Sequence, residues 1–145
     1  MTVTSPDTDV RDLAATLERV VTMVRRMMPS QAMSLTSVSV LRSLESAGPT
    51  RLTELASSQG VTQPGMTQLV TRLERDGYVE RGSQHGDARV VLVSLTDAGE
   101  EFLRQRRELR AQRLDDLLRT LPADDRSRIL DAIPALTMLA SLGPQ

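Results

Sequence analysis

The chain contains no cysteine, no tryptophan and no lysine, and its 145 residues include one histidine and two aromatic side chains, Tyr78 and Phe102. Without cysteine, disulfides, thiol catalysis, thiol redox sensing and cysteine-containing zinc sites are excluded. His85 alone cannot build a multi-histidine metal site, so we expect no metal and no cofactor. Two aromatic residues are too few for a fold that stacks nucleic-acid bases on aromatic platforms.

Long hydrophobic runs and an excess of one charge are also missing. No apolar stretch approaches the roughly 18–20 residues that a membrane-spanning helix requires, and the polar, acidic first ten residues do not resemble a signal peptide. We therefore expect a cytoplasmic protein without a membrane partner. The formal net charge of −1 argues against a protein that binds nucleic acid through bulk charge.

The sequence also lacks a catalytic constellation. It has no glycine-rich phosphate loop and no Gly-x-Ser-x-Gly turn. The adjacent carboxylates Asp115/Asp116 and Asp124/Asp125 diverge by about 100° on a helix, which favours solvated charges over a converging acid–base pair. We predict that the chain is not an enzyme.

What the chain does contain is apolar spacing of three and four residues, which predicts six helices. Their expected ranges are 9–28, 37–46, 54–59, 63–75, 97–120 and 124–141. The predicted N-caps of the second to fifth helices are Thr36, Thr53, Thr62 and Thr96. Pro134 lies inside the last helix and should bend it, because it removes a backbone hydrogen bond.

Between the fourth and fifth helices the apolar period changes from 3.6 to 2, which predicts a β-hairpin. Tyr78–Arg81 and Arg89–Leu95 alternate as two strands, and a polar loop, 82–88, joins them. No repeat or linker divides the chain. We therefore predict one domain, 1–145, that is mainly α-helical with a small β-hairpin.

The third and fourth helices are separated by a tight turn, Gln59–Gly60–Val61, which is the spacing of a helix-turn-helix. In that motif the second helix enters the major groove of double-stranded DNA. Threonine and glutamine suit adenine edges, thymine methyls and phosphates. The candidate DNA-binding residues on the polar face of this helix are Thr62, Gln63, Gly65, Thr67, Gln68, Thr71 and Arg72. The alternative interpretation is an ordinary solvated helix face.

Three stretches then point to a known family, namely Leu52–Ala56, Val61–Arg81, and Asp87-Ala88-Arg89 leading into Val91–Gly99. In order and spacing they resemble the MarR family of winged helix-turn-helix regulators. The resemblance implies that Asp87 and Arg89 form the wing motif, in which the arginine reaches the minor groove or its phosphates and the aspartate holds the wing in shape. His85 at the loop tip is either a phosphate contact or a polar loop residue.

The same resemblance implies that different segments of the chain bind DNA and form the dimer. A winged-helix DNA-binding lobe is expected at about 35–95, and dimerisation helices at about 9–29 and 97–141. The implied function is that of a homodimeric transcription regulator, a repressor, on a pseudo-palindromic operator. The alternative is a winged-helix protein-interaction module without DNA binding, which the Thr/Gln face and the wing motif disfavour.

Many family members release DNA when a small aromatic or phenolic anion binds between the dimerisation helices and the DNA-binding lobe. Under this resemblance the candidate effector contacts are Met23, Met27 and Met33, because thioether side chains adapt to varied ligands. A methionine stripe at helical spacing is also typical of a core or a dimer interface.

The charges of the DNA-binding lobe cancel, since residues 35–95 hold six arginines and six acidic residues. DNA affinity must then come from placement, with Arg72 and Arg89 outward and acids such as Glu74 turned away or paired. Five arginines of the fifth helix form a cluster that we interpret as a solvated face, with Glu100–Arg104 and Asp115–Arg119 pairs. They are Arg104, Arg106, Arg107, Arg110 and Arg113.

Overall fold

The computed structural model describes residues 6–27, 33–84 and 87–142. Within these residues the chain forms seven helices and three strands. The helices are α1 (Pro6–Arg26), α2 (Leu35–Ala47), α3 (Leu52–Ser58), α4 (Gln63–Arg75), α5 (Asp97–Arg119), α6 (Ala123–Asp131) and α7 (Ile133–Ser141). The strands are β1 (Thr50–Arg51), β2 (Val79–Gln84) and β3 (Asp87–Leu95). The described residues fall into two compact units, one up to Glu108 and one from Leu109 onward.

Two helices begin differently from the prediction. The N-cap of α2 is Ser34 and not Thr36, because Ser34 Oγ accepts a hydrogen bond from the backbone N–H of Ser37 at 3.1 Å. The N-cap of α3 is Arg51, which makes no side-chain cap bond, so the prediction of a Thr53 cap is wrong. Strand β1 runs directly into α3, and this leaves no position for a separate capping residue.

The other two predicted caps are confirmed. Thr62 Oγ1 accepts from the backbone N–H of Gly65 at 3.3 Å, and Thr96 Oγ1 accepts from that of Gly99 at 3.1 Å. Each bond satisfies an N–H group that a helix leaves without an intrahelical partner. The starts of α4 and α5 are therefore fixed by local chemistry.

The hairpin is longer than the sequence indicates, and it belongs to a three-stranded antiparallel sheet in the order β1–β3–β2. Pairing runs from Val79↔Leu95 to Ser83↔Val91 and, after a register shift, includes Gln84↔Asp87, so the predicted seven-residue loop is wrong. Backbone groups pair here even where the side chains are polar and break the alternation. Strand β1 is not predicted from the sequence, because two residues are too few to show an alternating apolar pattern.

The last predicted helix is two helices. Ala132 N donates to Arg128 O at 3.2 Å at the end of α6, and Pro134 lies in the first turn of α7. Proline costs nothing in a first turn, where its missing N–H has no intrahelical partner. Pro134 thus separates two helices instead of bending one.

The core of the first unit is built by α2, α3, α4, the sheet and the start of α5. Its fully buried side chains are Val40, Leu41, Leu44, Leu55, Met66, Val70, Leu73 and Val93. Met66, Val70 and Leu73 come from one face of α4. Burial of that face fixes which residues α4 leaves exposed.

Candidate nucleic-acid interface

The turn between α3 and α4 is closed by backbone hydrogen bonds. Gly60 N donates to Ser57 O at 3.2 Å, and Val61 N donates to Ala56 O at 3.0 Å. Gly60 has a φ of 61°, in the left-handed region that favours glycine. Two helices joined by so short a turn form the predicted helix-turn-helix.

The exposed face of α4 gathers most of the predicted contact residues. Six of the seven are exposed, namely Thr62, Gln63, Thr67, Gln68, Thr71 and Arg72. Gly65 differs, because it is half-buried and a Cβ at this position would lie 3.1 Å from both Thr62 Oγ1 and Val61 Cγ1. Gly65 therefore lets the helix start close to its own cap, while the other six offer donors, acceptors and methyl groups to solvent.

Two threonines on this face are already hydrogen-bonded within the helix. Thr67 Oγ1 donates to Gln63 O at 2.9 Å, and Thr71 Oγ1 donates to Thr67 O at 2.8 Å. Because each hydroxyl proton is used internally, the oxygen lone pairs are what these groups offer to a ligand. The face therefore carries hydroxyl groups of defined orientation.

The wing follows α4 after a tight turn. Gly77, with a φ of 83°, ends the helix, and Tyr78 N donates to Leu73 O at 2.9 Å. Asp87 and Arg89 both lie on β3, but their side chains are outside the described part of the chain, and His85 is outside the described residues altogether. The roles that the family resemblance implies for these three residues stay predictions.

Arg81, on β2, connects the wing to α4. Its Nη1 pairs with Glu74 Oε2, and its Nη2 donates to Thr71 Oγ1 at 2.9 Å and to Thr67 O at 3.4 Å. The prediction that Glu74 is turned away or paired is confirmed by this ion pair. Sequence reasoning missed Arg81 as part of the site. The available signal was its position two residues after Val79 on the same strand. Side chains two residues apart lie on the same face of a strand, and Val79 faces the core.

One further junction holds the wing in place. Thr96 N donates to Tyr78 O at 3.1 Å, and Thr96 Oγ1 donates to Gly77 O at 2.6 Å. Gly99, in the first turn of α5, packs against the same carbonyl, since a Cβ there would lie 2.3 Å from Tyr78 O. The α4–β2 turn and the start of α5 thus meet at one point.

Comparison with known proteins decides the family of this winged helix-turn-helix. The MarR family model matches residues 33–91. An HTH-type transcriptional regulator of Mycobacterium tuberculosis is 30% identical over 141 residues, which cover 95% of this chain and 99% of that relative. The chain belongs to the MarR family.

Solved structures show the same fold. A transcriptional regulator of Thermotoga maritima has a TM-score of 0.78 at 27% identity, with 90% of this chain and 95% of that chain covered. A MarR family protein of Bacillus stearothermophilus has a TM-score of 0.71 at 20% identity, with 95% and 99% covered. The predicted family and the predicted fold, mainly α-helical with a hairpin wing, are confirmed.

Membership in the MarR family also confirms the prediction that the chain is not an enzyme, because the relatives are transcriptional regulators. Among the described residues, no group of three or more His, Asp or Glu side chains is arranged to hold a metal ion. None of the described helices combines the length and the apolar character needed to cross a membrane.

The methionines predicted as effector contacts in this MarR-family chain separate into two places. Met23 and Met27 line a surface cavity of about 620 Å³ on α1, together with Glu18, Arg19, Thr22 and Arg26. Met33 packs against the hydrophobic core of the first unit. The structure therefore brings two of the three side chains together, with two arginines beside them.

The arginine cluster of α5 is only partly a solvated face. Arg106 is half-buried, its Cζ lies 5.6 Å from the centre of the Phe102 ring, and burial lowers its pKa, which the charge of Arg42 lowers further. Arg107 Nη1 donates to Glu45 of α2 at 2.9 Å. This arginine therefore joins two helices of the first unit.

The predicted ion pairs on α5 have mixed outcomes. Arg104 pairs with Glu101 at 2.7 Å, so the predicted pairing with Glu100 is wrong. The guanidinium of Arg104 lowers the pKa of Glu101 to about 2. The Arg119–Asp115 pair is confirmed at 2.7 Å. On a helix, spacings of three and of four both bring side chains together, and the sequence alone does not choose between them.

Proposed function

We propose that this MarR-family chain is a sequence-specific, double-stranded DNA-binding repressor that acts as a homodimer in the cytoplasm. The observation that carries the proposal is the exposed face of α4, where threonine, glutamine and Arg72 side chains stand opposite a face that is completely buried. A helix held by one buried face, with groups that suit base edges and phosphates on the other, fits the major groove.

The function is tested by selecting duplexes from a random-sequence pool with the wild-type chain. We expect one pseudo-palindromic sequence to be enriched, with half-sites about one helical turn apart. In cells, deletion of the gene should raise transcription from promoters that carry this sequence. Enrichment of no sequence would contradict the proposal and favour the protein-interaction alternative.

Salt dependence tests how the exposed charge on α4 is used. Arg72→Ala should reduce the slope of log Kd against log salt by about 1 and weaken binding about tenfold near 0.1 M salt, because one phosphate contact is lost. Affinities for the selected duplex are measured by fluorescence anisotropy over a salt series. The matched control is Arg75→Ala on the same helix, since Arg75 is occupied by Asp76 at 3.1 Å. An unchanged slope for Arg72→Ala would remove this arginine from the interface.

Support for the homodimer comes from apolar side chains that the chain leaves exposed. In the second unit these are Leu114, Leu117, Leu121, Ile129, Leu130, Ile133, Leu136, Met138, Leu139 and Leu142. On α1 they include Val10, Leu13, Val20 and Val21. Apolar surface on this scale typically marks a protein–protein interface, and a second copy of the chain is the partner that two-fold symmetry provides.

We expect the double substitution Leu130→Glu and Leu136→Glu to convert the dimer to a monomer, because burying two carboxylates without partners is strongly unfavourable. Sedimentation velocity at fixed protein concentration measures the change. Ser127→Glu adds a carboxylate to an exposed polar position of α6 and should leave the dimer intact. A double variant that still sediments as a dimer would place the interface elsewhere.

Release of DNA by a small aromatic or phenolic effector stays part of the proposal. The cavity beside Met23 and Met27 supports it, because Arg19 and Arg26 line it together with the single acid Glu18, which leaves net positive charge for an anion.

A further inference from the structure

We infer that Arg81 is a positioning residue, which fixes the wing strand to the DNA-facing helix and orients Thr71 for its contact with DNA. The inference rests on the proposed DNA-binding function and adds a residue that determines specificity without itself reading DNA.

The position of Arg81 in the sheet is unusual for a charged residue. Strand side chains alternate between faces, so Arg81 shares a face with Val79, which is 2% exposed. Its cross-strand partner is Val93, which is completely buried. An arginine at such a position needs a partner for its charge, because burying an unpaired charge is costly.

Glu74 supplies that partner from α4. The side chains of Arg81 and Glu74 are 28% and 36% exposed, whereas those of the Arg104–Glu101 and Arg128–Asp125 pairs are 45–79% exposed, so the Arg81 pair is more shielded from water. The pair also neutralises a carboxylate on the helix that faces the phosphates. Without Arg81, Glu74 would repel DNA and would be free to change its rotamer.

Thr71 is the point at which this arrangement reaches the DNA-facing surface. Its hydroxyl donates to Thr67 O at 2.8 Å and accepts from Arg81 Nη2 at 2.9 Å. A hydroxyl that both donates and accepts in fixed directions keeps one orientation. Thr71 thus presents a defined methyl and lone-pair arrangement, and α4 and β2 are held to one geometry.

The decisive experiment is the Glu74→Gln variant, because two readings of Arg81 predict different specificity ratios. If Arg81 contacts phosphate directly, removing the negative charge of Glu74 frees it and should tighten binding to all DNA alike, so the ratio does not fall. If Arg81 positions Thr71 and the wing, losing the ion pair should weaken discrimination. The measured quantity is the specificity ratio, which is the affinity for the selected duplex divided by that for a scrambled duplex of equal length.

We expect Glu74→Gln to lower the specificity ratio about three- to tenfold, the range of one typical net hydrogen bond in a protein. Thermal unfolding of the free protein checks that the variant remains folded. The matched control is Asp76→Asn, which removes the same charge two residues later, where its partner Arg75 lies on the same helix segment. This control should leave the ratio unchanged.

A second variant, Arg81→Lys, keeps a positive charge opposite Glu74, but one ammonium group cannot reproduce the planar fork that reaches both Glu74 and Thr71. We expect it to retain the unfolding midpoint and to lower the specificity ratio. The double variant Glu74→Gln with Arg81→Gln should cost no more than the larger single substitution, because the two act as one unit.

The outcomes separate the two proposals. A wild-type chain that selects no sequence overturns the DNA-binding function and the positioning role together. Wild-type selection combined with an unchanged or raised specificity ratio in Glu74→Gln and Arg81→Lys overturns only the role of Arg81.

Discussion

We expect Gly99→Ala to lower the free energy of unfolding by about 2–3 kcal/mol, although alanine is normally the better helix residue. The added Cβ would lie 2.3 Å from Tyr78 O and 2.6 Å from Leu95 Cδ1. Leu95 can rotate, but the carbonyl is backbone and already accepts a hydrogen bond from Thr96 N at 3.1 Å. Relief of the clash must therefore move α5 away from the α4–β2 turn. Chemical denaturation at fixed protein concentration measures the loss.

The chain offers a matched control in Gly82 on β2. A Cβ at Gly82 meets nothing within 4 Å, and its backbone does not require glycine. Gly82→Ala should therefore change the unfolding free energy by no more than about 0.5 kcal/mol. If both variants were equally stable, the packing of α5 against Tyr78 O would not be as tight as the structure indicates.

The second large effect is expected from Met66→Ala, which should destabilise the protein by about 2–5 kcal/mol. Met66 is completely buried on the inner face of α4, and its removal leaves a cavity among close-packed neighbours that include Val70 and Leu73. The lost packing is on the buried face that holds α4 in place. Denaturant unfolding, with the slope compared to wild type, measures it.

Met66→Leu separates the cavity from the change of residue type. Leucine has a similar volume and no polar atom, so this variant should cost less than about 1.5 kcal/mol. A Met66→Leu loss as large as that of Met66→Ala would show that the thioether shape, and not the filled volume, stabilises this face.

Much of the fold could be predicted because several segments carry agreeing local signals. Thr62 precedes a run with apolar residues at helical spacing, Pro64 fits its first turn, and Gly77 stops it, so α4 could be placed from sequence. The start of α2 could not, since Ser34, Thr36 and Ser37 are all able to cap a helix. The structure selects Ser34, whose Oγ accepts from Ser37 N and lies 2.9 Å from Ser37 Oγ, and the sequence gives no signal that ranks it above Thr36.

The candidate site likewise has one part that could be predicted from the sequence and one part that could not. The exposed face of α4 follows from helix periodicity, and six of its seven predicted residues lie on the surface. Arg81 could not be assigned from spacing, because its contacts with Glu74 and Thr71 cross a turn and join a strand to a helix. The available indication was its charge at a strand position that faces the core.

Strand β1 gives the wing a fixed base. It pairs with β3 through Thr50↔Val93 and Arg51↔Leu92, so the sheet is three strands wide at Leu92 and Val93 and two strands wide beyond them. Beyond Leu92 the two-stranded part continues on β2 from Gly82 to Gln84, about 7 Å at the usual rise per residue, with a register shift after Ser83. Because a two-stranded ribbon has fewer backbone hydrogen bonds than a three-stranded sheet, we expect the hairpin to bend more easily beyond Leu92 than at its base. Under the proposed DNA-binding function, we expect the two-stranded part to follow the width of the minor groove while the three-stranded base and α4 keep their geometry.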